Sequence, residues 1–154
     1  MKFADLLNSK AVKAVTTASS KKRLMHDIAD LAESAYGISA SRAVEALLER
    51  ESLGPTGVGH GVALPHARLD GVNAVVGVFI LLEKPIDFDA IDRQPVDVIF
   101  ALFAPEDAGV EHLKALALVS RTLRDQSFCA KLRANPDPST LHTIITEAAT
   151  SQAA

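Results

Sequence analysis

Two stretches of the 154-residue chain are almost continuously apolar: AVVGVFILL at 74–82 and VDVIFALFA at 96–104. A strand with one wet face alternates apolar and polar residues, because successive side chains point to opposite sides. Runs that fail to alternate need cover on both faces, as the central strands of a layered sheet do. Each run is also far shorter than the ~18 apolar residues of a membrane span. A doubly covered pair of strands is therefore the unit around which the rest must fold.

Helical patterns before and after the pair can supply that cover. Residues 3–8 read as one short helix and AVKAV at 11–15 as a short strand. Ser19 or Ser20 then caps a helix whose Leu24, Ile28, Leu31 and Ala35 share one face, and Gly37 ends it. A second helix is expected over 41–52, with Val44, Leu47 and Leu48 inward, stopped by Gly54 and Pro55. GVALP allows only a short strand before Pro65, which lacks a backbone donor. A long helix follows over about 109–125, with Leu113, Leu116, Ala117, Ser120 and Leu123 inward. Helices over 127–133 and 138–149 complete the chain, the last with Leu141, Ile144, Ile145 and Ala148 on one face and a tail at 150–154 that has nothing to bury. The pattern predicts an α/β layered sandwich, with helices on both faces of a central sheet. The length suits a single domain over 1–154 with an ordered core of about 3–149. Strand order is not fixed by periodicity.

Charge excludes some functions. A net charge of −3 offers no general attraction to nucleic acid or anionic lipid. The one basic run, Lys21-Lys22-Arg23, reads as a solvated helix start. The lone Cys129 lies in a helical pattern and is expected to be a buried small hydrophobe. The opening MKFADLLNSKAV lacks the apolar stretch of a signal peptide. The expectation is a cytoplasmic protein with no membrane insertion and no cofactor.

The segment GVGHGVALPHARLDG at 57–71 carries the chemistry. Its glycines form neither a Walker loop nor a G-x-G-x-x-G helix start, since Pro65 forbids a helix there. They read either as a tight turn with positive φ or as room for a bulky partner to approach one side chain. That side chain is His66, expected just past a strand end, where sites gather in α/β sheets. A neutral imidazole is nucleophilic near pH 7 and can accept and release a phosphoryl group. The site must then neutralise three phosphoryl oxygens. Arg50 offers a planar fork of donors, or alternatively a surface ion pair with Glu49 or Glu51. Thr56 could donate its hydroxyl or merely cap the glycine turn. His112 falls in the first turn of the long helix, where the dipole disfavours a charged ring and free N–H groups suit an anion.

His60 reads as an exposed loop residue, and His26 and His142 as helix residues without a role. A metal site from His60, His66 and His112, and with it a metal- or ligand-sensing module, is the remote alternative, because no compact ligand pair is present. Asp87, Asp89 and Asp92 lack the spacing and terminal Glu of a calcium loop and read as turn formers.

TGVGHGVALPHAR, PIDFDAIDRQPVDVIFALFAP and EHLKALALVSRTLRD together resemble the enzyme IIA component of the mannitol/fructose class of the phosphoenolpyruvate phosphotransferase system. The likeness spans roughly the whole chain and is strongest to the nitrogen-related (EIIA-Ntr, PtsN) branch. It implies a mixed central sheet with an antiparallel component. It also implies phosphorylation of His66 through Nε2 by the phosphohistidine of an HPr-like carrier, called NPr in this branch. His112 matches the family's neighbouring histidine, Arg50 its arginine, and Thr56 its turn hydroxyl, while His60 lies outside the pattern. Implied partners are that carrier and regulatory targets such as potassium-transport or sensor-kinase components. A sugar-specific EIIA that passes phosphate to an EIIB is the alternative reading.

Overall fold

The computed structural model describes the backbone of residues 1–153 and the side chains of residues 1–148. The elements, in chain order, are helix α1 (Phe3–Leu6), a 3-10 turn (Ser9–Ala11), strand β1 (Val12–Val15), helices α2 (Lys21–Tyr36) and α3 (Ala40–Ser52), strands β2 (Gly57–Gly59), β3 (Val62–Ala63), β4 (His66–Leu69), β5 (Val76–Ile86) and β6 (Val96–Pro105), then helices α4 (Val110–Leu123), α5 (Gln126–Arg133) and α6 (Pro138–Ala153). The six strands form one sheet in the order β1-β5-β6-β3-β2, with β4 also on β6.

The two apolar runs are its centre. β5 and β6 pair antiparallel, with Phe79 opposite Phe100. Every residue of 77–82 and 98–104 is buried, so both faces are covered. β1 runs parallel to β5, β3 and β4 run parallel to β6, and β2 is antiparallel to β3. The sheet is thus mixed, within an α/β layered sandwich. α2 packs on β5, α3 on β4, α4 on β6, and α1 and α6 pack together beside β5 and β1.

Few aromatics are available, and they are concentrated in the core. Phe100 meets Phe3 and Phe79 at centroid distances of 5.7 and 6.1 Å. Gly77 makes that packing possible, since a Cβ there would lie 2.6 Å from Phe100 Cε1. Truncating a ring so placed costs about 3–5 kcal/mol.

β3 and β4 are two halves of one strand. Val62 lies opposite Val98 and His66 opposite Leu102, in unbroken register along β6. The break falls at Leu64-Pro65. Pro65 cannot donate, but its carbonyl still accepts from Leu102 N at 2.9 Å. His66 therefore follows a short strand that ends before Pro65, as expected, and also opens a second one, which the sequence did not suggest. β2, too, was hidden in the glycine turn, and β5 runs on through Pro85 to Ile86.

The helix expectations hold best where caps mark them. Ser20 Oγ accepts from Arg23 N at 3.0 Å, and Gly37 closes α2 at φ 73°. The inward face of α4 is rotated from the one expected. His112, Ala115, Leu118, Val119, Thr122 and Leu123 are buried, whereas Leu113 is 64 % exposed and Ala117 faces out. Lys21 is not solvated either: its Nζ meets Glu51 Oε2 at 2.9 Å and lies over the Phe88 ring. The backbone of α6 runs past 149 to Ala153; burial of the tail at 150–154 lies outside the described side chains. Among the described residues no helix is long and apolar enough to cross a membrane.

Candidate functional site

β4 begins with His66, and its ring is tied to the chain just behind it. Nδ1 lies 2.9 Å from the Leu64 carbonyl oxygen. A carbonyl only accepts, so the ring proton sits on Nδ1 and the Nε2 lone pair is left exposed to chemistry. The ring is half-buried. Burial pushes its pKa below the ordinary histidine value and the Arg50 charge pushes the same way, against the opposing pull of the Leu64 carbonyl and Glu51. The group is held as neutral imidazole.

His112 stands beside it, on the third residue of α4 and only 5 % exposed. The two ring centroids are 5.6 Å apart and the planes meet at 69°. Arg68 shares the His66 face of β4, two residues along. Its Nε–H donates to His112 Nδ1 at 3.3 Å. With that lone pair engaged, neutral His112 carries its proton on Nε2. Among the described residues, His112 Nε2 is the one buried side-chain nitrogen or oxygen without a hydrogen-bond partner. Leaving a buried donor unpaired costs about 1–3 kcal/mol, so the group is open to a partner that enters the groove. The pKa of His112 is lowered, by burial first, then by His66 and Arg68. The cause is packing and neighbouring charge rather than the helix start that the sequence suggests.

Arg50 completes the arrangement from the last turn of α3. Its Nη1 donates to the Gly54 carbonyl at 3.0 Å, which anchors the guanidinium at the helix end. No ion pair joins it to Glu49 or Glu51 among the described residues, since Glu51 is paired with Lys21. Arg50, His66, Arg68 and His112 line one groove of about 470 Å³ between α3 and α4. Leu53 and Leu113 stand at its wall, 82 % and 64 % exposed.

Two other residues from the motif lie elsewhere. Thr56 is buried outside the groove, and its hydroxyl donates to Glu51 Oε1 at 2.5 Å. A proton committed in this way is not directed at His66, which corrects the hydroxyl-donor expectation for this geometry. His60 sits at the tip of the β2–β3 hairpin with φ 58°, between Gly59 and Gly61, which also have positive φ. Its N–H donates to Asp92 Oδ2 at 3.0 Å, and its ring meets Gln126 rather than the groove. Among the described residues no three His, Cys, Asp or Glu side chains gather in a metal-holding group.

Arg68 was missed from the sequence. The signal was there, because an i, i+2 pair on a strand shares a face; it became readable only once β4 was known to be a strand. A neutral imidazole with a bare Nε2, two guanidinium groups and an unpaired buried N–H can together attack an electrophile carrying negative charge and steady that charge during transfer.

The family model described as phosphoenolpyruvate-dependent sugar phosphotransferase system, EIIA 2, matches residues 5–148. The chain is 42 % identical over 145 residues to a nitrogen regulatory protein of Bradyrhizobium diazoefficiens, covering 94 % of this chain and 95 % of that one. It is 43 % identical over 149 residues to a nitrogen regulatory protein of Klebsiella oxytoca, covering 96 % and 92 %. The crystal structure of nitrogen regulatory protein IIA-Ntr from Neisseria meningitidis superposes with a TM-score of 0.86 at 35 % identity, over 92 % of this chain and 97 % of that one.

Proposed function

Because the chain belongs to the EIIA 2 family of the phosphoenolpyruvate-dependent sugar phosphotransferase system, we propose that it is a phosphocarrier of the nitrogen-related branch. His66 Nε2 takes a phosphoryl group from the phosphohistidine of an HPr-like carrier (NPr). The phosphorylation state then signals to regulatory targets such as potassium-transport or sensor-kinase components.

One arrangement carries the reading: the half-buried His66 has its Nδ1 tied to Leu64 O and its Nε2 unencumbered, beside the unpaired His112 donor. In the transfer, the His66 Nε2 lone pair forms the new N–P bond. The N–P bond to the donor breaks, and its electron pair returns to the donor imidazole. His66 keeps its Nδ1 proton against Leu64 O and gains the imidazolium charge that the donor loses, so no proton has to move. Arg50 and the His112 N–H steady the phosphoryl oxygens in transit, with Arg68 holding the His112 ring. The phosphoryl group brings a charge of about −1.5 to −2, partly offset by the imidazolium, and the net negative charge alters which surfaces can dock at the groove.

Mass spectrometry after mixing with phosphoenolpyruvate, enzyme I and an HPr-like carrier tests this by localising the modified residue. His66 is expected to carry an acid-labile phosphoryl group, and His66→Ala to carry none while keeping its fold. Full labelling of His66→Ala would overturn the assignment. Rapid loss of the label to a separate EIIB would move the protein to sugar transport.

A further inference from the structure

In an antiparallel pair, residues facing each other at a hydrogen-bonded position exchange two bonds, each N–H to the other's carbonyl. β2 and β3 place Gly57 opposite Ala63, and one step on, Leu64 N donates to Thr56 O at 2.9 Å. The pattern calls for the reciprocal bond from Thr56 N to Leu64 O. Thr56 N donates instead to Glu51 Oε2 at 2.8 Å. The Leu64 carbonyl is the acceptor for His66 Nδ1–H.

A side chain from the last turn of α3 thus stands in for a strand carbonyl. The Glu51 side chain is 6 % exposed, and a carboxylate that buried needs partners on its oxygens. It has three: Thr56 N, Thr56 Oγ1 and Lys21 Nζ. Lys21 comes from α2 and is itself held over the Phe88 ring, 4.7 Å from its centroid. Two segments, α2 and the turn at Thr56, therefore converge on a carboxylate that does not line the groove.

We infer that Glu51 is a positioning residue, which takes the Thr56 N–H and so releases the Leu64 carbonyl to hold His66 in the tautomer with a bare Nε2. The inference rests on the reading of His66 as acceptor. It gives the buried Thr56–Glu51–Lys21 chain a task at a site that none of the three lines.

Ring 15N spectra of the unphosphorylated protein test it directly. Wild type is expected to show His66 protonated on Nδ1 and bare on Nε2; the reverse tautomer would overturn the proposal without any variant. In Glu51→Ala, Thr56 N–H turns to Leu64 O, His66 averages between tautomers, and the rate of labelling by phosphorylated carrier falls on the order of tenfold. Glu51→Gln keeps an acceptor oxygen for Thr56 N–H and is expected to retain the wild-type tautomer, although it loses the Lys21 ion pair. A structural role alone would lower the stability of both variants and leave the His66 tautomer of the folded protein unchanged. A folded Glu51→Ala that keeps the wild-type tautomer overturns the proposal. If that variant does not fold, loss of the tautomer in folded Glu51→Gln does so. The carrier assignment fails separately, by absence of label on wild-type His66 whatever its tautomer.

Discussion

His66 and His112 face each other edge to face at 5.6 Å, and each ring has one nitrogen already engaged. Leu64 O holds Nδ1 of the first, and Arg68 Nε holds Nδ1 of the second. The two remaining nitrogens are complementary: a bare lone pair on His66 Nε2 and an unpaired N–H on His112 Nε2. One ring is left with an acceptor and the other with a donor, and the difference comes from opposite partners at the same ring position.

Removing that donor tests the pairing. His112→Ala is expected to slow phosphoryl transfer to His66 by about 10²-fold, the usual effect of losing one donor to a developing negative charge. His112→Gln keeps an N–H and should recover part of the loss. Initial rates of label uptake from phosphorylated carrier measure both, and an unchanged rate in His112→Ala contradicts the role.

The pH response follows from the lowered pKa values of both rings. Neutral His66 persists as pH falls through the ordinary histidine value of ~6.5, so the transfer rate should hold there and decline only at lower pH. Stability responds earlier in the same direction. Between the folded and unfolded pKa values the unfolded chain binds more protons, so the contribution is fully present above ~6.5 and is lost as pH falls through that window. Denaturant unfolding across the window should show the decline in wild type and a flatter curve in a His66→Asn, His112→Asn double variant.

Arg50→Lys separates charge from geometry. The guanidinium spends one N–H on Gly54 O and keeps others for the groove; an ammonium point charge cannot reproduce that fork. The transfer rate should fall about tenfold, equivalent to ~1.4 kcal/mol of barrier, with little change in Tm. Wild-type rates in this variant would show that charge alone suffices.

The core makes its own prediction. Gly77→Ala places a methyl 2.6 Å from Phe100 Cε1 and 3.4 Å from the Leu6 carbonyl. Overpacking of this kind costs about 1–3 kcal/mol. Thermal unfolding should show a Tm several degrees lower, and Phe100→Leu in the same background should recover part of it, because the two positions share one contact.

The sequence was most legible where one physical demand acted alone. The runs at 74–82 and 96–104 could only be central strands, and Ser20 and Gly37 marked α2 as their chemistry requires. His66 stood out because Pro65 and the glycines left so little else for the segment to do. Misreadings arose where two demands met in one residue. Leu113 and Ala117 look like core on a helix wheel, yet α4 turns His112, Ala115, Leu118 and Val119 inward and leaves Leu113 on the groove wall. Lys21 reads as a solvated cation until its partner, thirty positions away, is in place. Thr56 and Glu51 belong to one hydrogen-bonded chain that no local pattern announces. Arg68 needed the knowledge that β4 is a strand.

The unbroken register of β3 and β4 across Pro65 sets a mechanical limit on the protein. A strand that slips by one residue turns every side chain to the opposite face, and here both halves are locked against the most deeply buried strand of the sheet. The backbone that carries the His66 imidazole therefore inherits the stiffness of the interior and has no hinge of its own. On the proposed function, adjustment to an arriving phosphoryl donor is left to side chains and to the visitor, since this strand cannot shift along its neighbour.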